Sequence, residues 1–262
     1  MEGAGGGGDD VSAAKKKRKA EDEAVEITTR VFKDRVIKGR PLGRVVRHDR
    51  RSWNYPAPRA KRIVSVLHKR HCGPFNQGEF LGCCTGNAVA GLLMTDPFFN
   101  EGRRLTERDA VRLYSRATHL DPFKGIYPPQ DTGSSGLAAM KAAREHGYIE
   151  SYGHAFGLDH ALKTLVLTPV VTGVNWYDGF DNPSKFGRVK KKGPITGGHE
   201  FLVVGIDAEE KLVRACNSWG PDWADGGYFT FSWDAWEALL DEDGDVTTAT
   251  PGPPKPKKNW HR

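Results

Sequence analysis

NQGEFLGCCTGNAVAGLL, residues 76–93, sets a pair of cysteines between a glycine-bearing loop and a run that is small and apolar on nearly every face. A helix without a polar face is a buried helix, so the run from Cys84 is expected to be the central helix of the fold. Gly82 before the pair and the apolar run after it would place the Cys84 sulfur at the positive end of that helix, where backbone N–H groups converge. A thiol with a reference pKa of about 8.5 is mostly protonated at neutral pH, and a helix N-terminus together with an imidazolium favours the thiolate. Gln77, seven residues before Cys84, can bring a side-chain N–H to a developing oxyanion.

The partners of such a cysteine lie far along the chain, with His199 in GGHEFLVVGID and Asn217 in CNSWG. If EFLVVGI and KLVRACN pair antiparallel around a turn centred near Ala208, His199 and Asn217 become directly opposed. Opposed residues share a face with Cβ atoms roughly 4.5–5.5 Å apart, within reach of an Asn oxygen that orients the imidazole. A one-residue slip would break this pairing. The set then holds a nucleophile, a base and an orienting group.

With 262 residues, 38% apolar and 10% aromatic, the chain can bury a core of one or two lobes. Cys72, Cys83, Cys84 and Cys216 lack zinc-type C-x-x-C spacing and are expected as free thiols, and neither a metal nor a cofactor is called for. MEGAGGGGDD has no apolar run of the signal-peptide kind, and no stretch approaches the roughly 18 apolar residues of a membrane span. The expectation is a non-secreted, cytoplasmic protein without a membrane partner, with virion-associated or nuclear placement as alternatives. Nothing in the residues sets an oligomeric state.

Charge is uneven. Residues 1–72 hold 19 Lys and Arg against 9 Asp and Glu, a net +10, while the remainder is net −4. KKKRK at Lys15 to Lys19 has the composition of a nuclear-localisation tract, of a nucleic-acid or other anionic-surface contact, or of a solvated disordered tail.

Along the chain, residues 1–25 read as a disordered basic tail and 26–72 as a basic, mostly extended arm. Helices are expected from Cys84, from Thr106 to Thr118 with Thr106 as cap, and from Ser135 to His146 ended by Gly147. After Leu165 the segments TPVVTGVNW, EFLVVGI, KLVRACN and GYFTFSW read as strands. Helices first and strands second make an α+β protein, with a helical lobe over about 73–165, a β lobe over about 166–240 and a loose tail over 241–262. GVNWYDGF, residues 173–180, reads as core and cleft wall rather than as a specific pocket. His68, His71, His119, His146, His154 and His160 read as structural or surface groups.

Taken together, these residues resemble the papain-like cysteine peptidases, and in particular the compact short-loop forms of bacteria and their phages, over roughly Arg47 to Trp236. The resemblance implies a papain-like two-lobe fold, with a Cys-bearing central helix in one lobe, an antiparallel β-barrel as the other and a peptide-binding cleft between them. It implies Cys84 as nucleophile, His199 as general base and acid, Asn217 as orienting residue and Gln77 in the oxyanion hole, acting on a polypeptide substrate. Trp219 would shield the His–Asn bond, with Trp223 nearby, and Gly133, Ser134, Ser135 and Gly136 would present backbone to an extended substrate.

Two departures stand out. Cys83 and Thr85 replace the usual Ser and aromatic neighbours, and one extra residue separates Gln77 from the nucleophile. Counting from Gln77 selects Cys83, whereas counting from Gly82 selects Cys84. A long globular pro-segment is not expected, and any self-inhibition is expected to use residues 1–60. A binding or virion-structural module on the same fold, and another Cys–His acyl-transfer enzyme such as a peptidoglycan peptidase, are the alternative functions.

Overall fold

Helix α1, Cys84–Leu93, is buried at all ten positions, as its uniformly apolar surface requires. The computed structural model describes residues 41–251. Helix α2, Glu107–Leu120, begins in a capping box between Thr106 and Asp109 and buries Ala110, Leu113, Tyr114 and Ala117, a stripe at helical spacing. Against it α1 offers Gly86, where a Cβ would stand 2.2 Å from the Ala110 carbonyl oxygen, so only glycine permits this crossing. Helix α3, Gly136–Glu145, is capped by Ser135, whose Oγ accepts from Ala138 N at 3.2 Å. Val89, Leu92, Leu93, Met94, Leu113 and Met140 form the core among these helices.

The other half is an antiparallel sheet. Its strands are β1 (Val66–Leu67), β2 (Ile149–Ala155), β3 (Val170–Tyr177), β4 (Ile195–Asp207), β5 (Leu212–Cys216), β6 (Tyr228–Ser232) and β7 (Asp245–Pro251). They lie in the order β2-β7-β3-β4-β5-β6, with β1 added on β4. Helices α4 (Gly157–Leu167) and α5 (Trp233–Asp241) complete the set. Strand β4 partitions the molecule. Phe201 and Val203 face an aromatic core with Trp176, Phe229, Phe231 and Trp236, while Leu202 and Val204 face the helices. Alternation at period two sorts the side chains in this way, and each large apolar group so buried contributes about 2 kcal/mol.

The structure departs from the sequence expectations in four places. Residues 245–251 are a strand between β2 and β3, not part of a loose tail, because the β-branched residues of DVTTATP find partners on both sides. Residues 41–46 of the expected arm are packed into the fold, with Leu42, Arg44, Val45 and Val46 buried; the tail over 1–25 lies outside the described residues. Strand β2 and helix α4 fall in what was read as the helical lobe, and α4 buries Ala161, Leu162 and Leu165 against the sheet half. Finally, the β4–β5 register pairs Leu202 with Cys216 and Asp207 with Leu212, which would set residue 199 opposite 219 rather than 217. The turn displaces the register by three residues and the bulge between Val203 and Gly205 takes one back, so the displacement of two at residue 199 keeps the same face and the intended side chains still meet.

Candidate active site

Cys84 is the first residue of α1, with Cys83 in the cap position. The two thiols differ in environment. Cys83 Sγ accepts from Asn87 Nδ2 at 3.2 Å inside the helical half, and burial pushes its thiol up to about 12. Such a group is protonated at neutral pH. Among the described residues no cysteine is joined in a disulfide.

Helix α1 packs on β4, the strand that carries His199. His199 is fully buried, and its Nε2 bonds Asn217 Oδ1 at 2.7 Å. The same oxygen accepts from Ser218 N at 2.8 Å, which holds the Asn side chain in place. Nδ1 of the imidazole has no hydrogen-bond partner. Trp219 tilts over the ring with centroids 5.0 Å apart, and Trp176 meets it edge-on at 4.7 Å. Enclosure of this kind removes water from the imidazolium, so desolvation lowers His199 to about 4 against the opposing pull of Asn217.

Gln77 reaches the site because its loop is stitched to the loop after β5, with Gln77 N donating to Ser218 O at 2.8 Å and Gly220 N to Phe75 O at 3.0 Å. Ser218 Oγ donates to Gln77 Oε1 at 2.6 Å, which turns the amide nitrogen toward Leu81 O at 3.1 Å and Pro41 O at 2.8 Å. Gly82 donates its N–H to Asp131 Oδ2 at 2.7 Å, and the Asp131 carboxylate also accepts from the Tyr114 hydroxyl.

An extended peptide lies across these groups, and it is the chain's own residues 41–45. Ser134 N donates to Gly43 O and Val45 N to Ser134 O, each at 2.9 Å, and Arg44 N donates to Gly198 O at 3.0 Å. Gly43 is pressed on Gly82 so closely that a Cβ on it would stand 1.8 Å from the Gly82 carbonyl oxygen. Gly82 is two residues before Cys84 and Gly198 one before His199, so the segment passes between the two halves at the level of both.

Of the residues singled out from sequence, His199, Asn217, Gln77 and Trp219 are joined by direct contacts or through Ser218, and Gly82 and Cys84 stand at the start of α1, the helix that packs on the strand of His199. Ser134 supplies the backbone contacts, its hydroxyl bonds that of Thr85, Ser135 caps α3, Gly136 opens that helix and Gly133 holds a positive φ of 69° beside Gly43. Sequence reading missed Ser218 and Asp131, whereas Trp176 lies in the 173–180 run read as core and cleft wall. Ser218 stands inside the quoted CNSWG run, and its hydroxyl was the signal. Asp131 has no local pattern that marks it. Among the described residues no group of His, Cys, Asp and Glu is arranged to hold a metal, and no helix is long and apolar enough to cross a membrane.

Neither protein-family models nor curated protein sequences match this chain. Solved structures do. Xylellain, a cysteine protease from Xylella fastidiosa, superposes with a TM-score of 0.66 at 18% identity over 86% of this chain and 100% of its own. The proform of Amb a 11, a ragweed pollen cysteine protease, gives 0.56 at 16% identity over 78% of this chain and 63% of its own. Digestive procathepsin L 3 of Tenebrio molitor larval midgut gives 0.55 at 15% identity over 74% and 73%. The α+β architecture, with its buried helix laid on an antiparallel sheet, is the fold of the papain-like cysteine proteases.

Proposed function

We propose that the chain is a cysteine peptidase that hydrolyses peptide bonds, with Cys84 as nucleophile, His199 as base and acid, Asn217 as its orienting partner and Gln77 as oxyanion donor. One observation carries this reading. An extended peptide already lies between the N-terminus of α1 and β4, with one carbonyl on Gln77 Nε2 and its backbone paired with Ser134 and Gly198.

In the proposed reaction His199 Nδ1 takes the Cys84 proton and the thiolate adds to the scissile carbonyl. Gln77 Nε2 and the N–H groups at the helix end hold the oxyanion. His199 then returns the proton to the leaving amine, and water attacks the thioester to release the acid and restore the thiol. Asn217 keeps the imidazole in the tautomer and orientation that these transfers need. Enclosed by Trp219 and Trp176, His199 is desolvated and neutral in the resting protein, and readmitted water favours its protonated form.

The test is labelling of the full chain by an epoxide-type thiol reagent, together with hydrolysis of unfolded casein. Cys84→Ala should abolish both, and Cys83→Ser should preserve both. Labelling that persists in the Cys84→Ala protein overturns the assignment of nucleophile. Absence of turnover on casein, with turnover on purified cell wall, overturns the substrate class.

A further inference from the structure

The side chain of Arg44 is fully buried where it enters the protein from the segment that spans the site. Its Nη2 donates to Asp245 Oδ2 at 2.5 Å and to Asp243 O at 2.6 Å, and its Nε lies 3.8 Å from Glu200 Oε2. The space it fills is made by missing side chains. A Cβ at Gly173 would stand 2.3 Å from Arg44 Nε, and one at Gly136 would stand 2.2 Å from Glu200 Oε1. The floor is therefore two carboxylates, one from β4 and one from the first residue of β7, and the walls are two glycines. Gly173, in the run read from sequence as core and cleft wall, borders the space that Arg44 fills.

The fit is loose. Arg44 Nε and Nη1 and both Glu200 oxygens have no hydrogen-bond partner, so the pocket retains unspent capacity for a cation seated in better geometry. Burial and the neighbouring Asp245 raise Glu200 well above the usual carboxylate range, with Arg44 pulling the other way. A basic side chain is what relieves this crowding. The pocket also has a fixed place, because Glu200 follows His199 directly and the residue that fills the pocket is bracketed by Ser134 and Gly198. Any extended peptide seated in the same groove on Ser134 presents one side chain to it.

We propose that Glu200 and Asp245 form a specificity pocket for a basic side chain, arginine above lysine, on the polypeptide substrate, and that Arg44 occupies this pocket as a stand-in for that side chain. The inference rests on the peptidase reading and names its substrate class. Arginine is favoured because a planar fork can meet two carboxylates at once, whereas an ammonium meets them as a point charge. An apolar side chain would leave both carboxylates enclosed without a counter-charge, and a site that loses such a partner discriminates strongly, here by about a hundredfold in kcat/KM.

The experiment is a positional-scanning peptide library cleaved by the full chain and by its Asp245→Asn and Glu200→Gln variants, with Cys84→Ala as the control. Each position within three residues of the scissile bond is varied among Arg, Lys, Leu and Glu, and products are read by mass. The expected result is one position at which Arg exceeds Leu about a hundredfold, with the ratio falling below about tenfold in either variant. Cys84-dependent cleavage without a basic preference, or with a preference unchanged in both variants, overturns the pocket and leaves the peptidase reading intact. No Cys84-dependent cleavage of any member overturns both. Should Glu200→Gln fail to fold, Asp245→Asn decides alone, since the Asp245 side chain is 19% exposed and the change is isosteric.

Discussion

Acid should destabilise this protein through His199 in a window that its burial defines. The folded state holds the imidazole at about 4, whereas an unfolded chain titrates near the ordinary histidine value of 6.5. Above 6.5 both states are neutral and His199 contributes nothing to pH dependence. As pH falls below 6.5 the unfolded chain takes up a proton that the folded chain refuses, so stability drops until the folded group titrates near 4. From pH 7 to pH 5 the loss from this residue is about 2 kcal/mol, and over the whole window it approaches about 3 kcal/mol. Urea denaturation of the wild-type chain and of His199→Gln at pH 7, 6, 5 and 4.5 isolates it, because the other titrating groups are common to both. With a urea slope of about 2 kcal/mol/M, the wild-type midpoint should fall between pH 7 and pH 5 by roughly 1 M more than the variant midpoint. Midpoints that move in parallel would refute the buried, neutral imidazole.

Two further outcomes follow from the same geometry. Gly43→Ala places a Cβ 1.8 Å from the Gly82 carbonyl oxygen, so residues 41–45 cannot stay seated; alkylation of Cys84 should accelerate about tenfold, and an unchanged rate would show that the segment does not limit access. Ser218→Ala removes the hydroxyl that donates to Gln77 Oε1 at 2.6 Å; as a positioning residue it should cost about tenfold in kcat with KM within about twofold and the pH profile unmoved, and a loss carried by KM would assign Ser218 to binding instead.

Much of the helical half was legible because its signals are local. Thr106 with Asp109, Ser135 before α3 and Gly147 after it each mark a helix end through a hydrogen bond or a backbone angle that one stretch of chain completes by itself. His199 and Asn217 were found on weaker ground. The assumed register was displaced by two residues, and their meeting survived only because an even displacement preserves the face.

What escaped depends on partners distant in sequence. DVTTATP has the β-branched content of a strand, but its acidic and Pro-rich flanks masked it, and its two neighbours β2 and β3 are supplied from elsewhere. PLGRVV reads as part of a basic arm because nothing in it announces a groove lined by Gly82, Ser134 and Gly198. Helix α4 was a different failure: GLDHALKTLVL carries Leu158, Ala161, Leu162, Leu165 and Val166 at helical spacing, yet no helix was assigned to it.

The placement of β7 carries a temporal consequence. This strand is the last in chain order among the described residues yet lies between β2 and β3, so the ribosome makes Cys84, His199 and Asn217 before the residues that close the sheet. A nascent chain paused ahead of Asp245 has two unsatisfied strand edges facing one another across a gap and lacks half of the acidic floor beneath Arg44. Completion of the sheet and completion of the pocket are thus the same late event, and a growing chain does not hold the finished groove while its own synthesis is still under way.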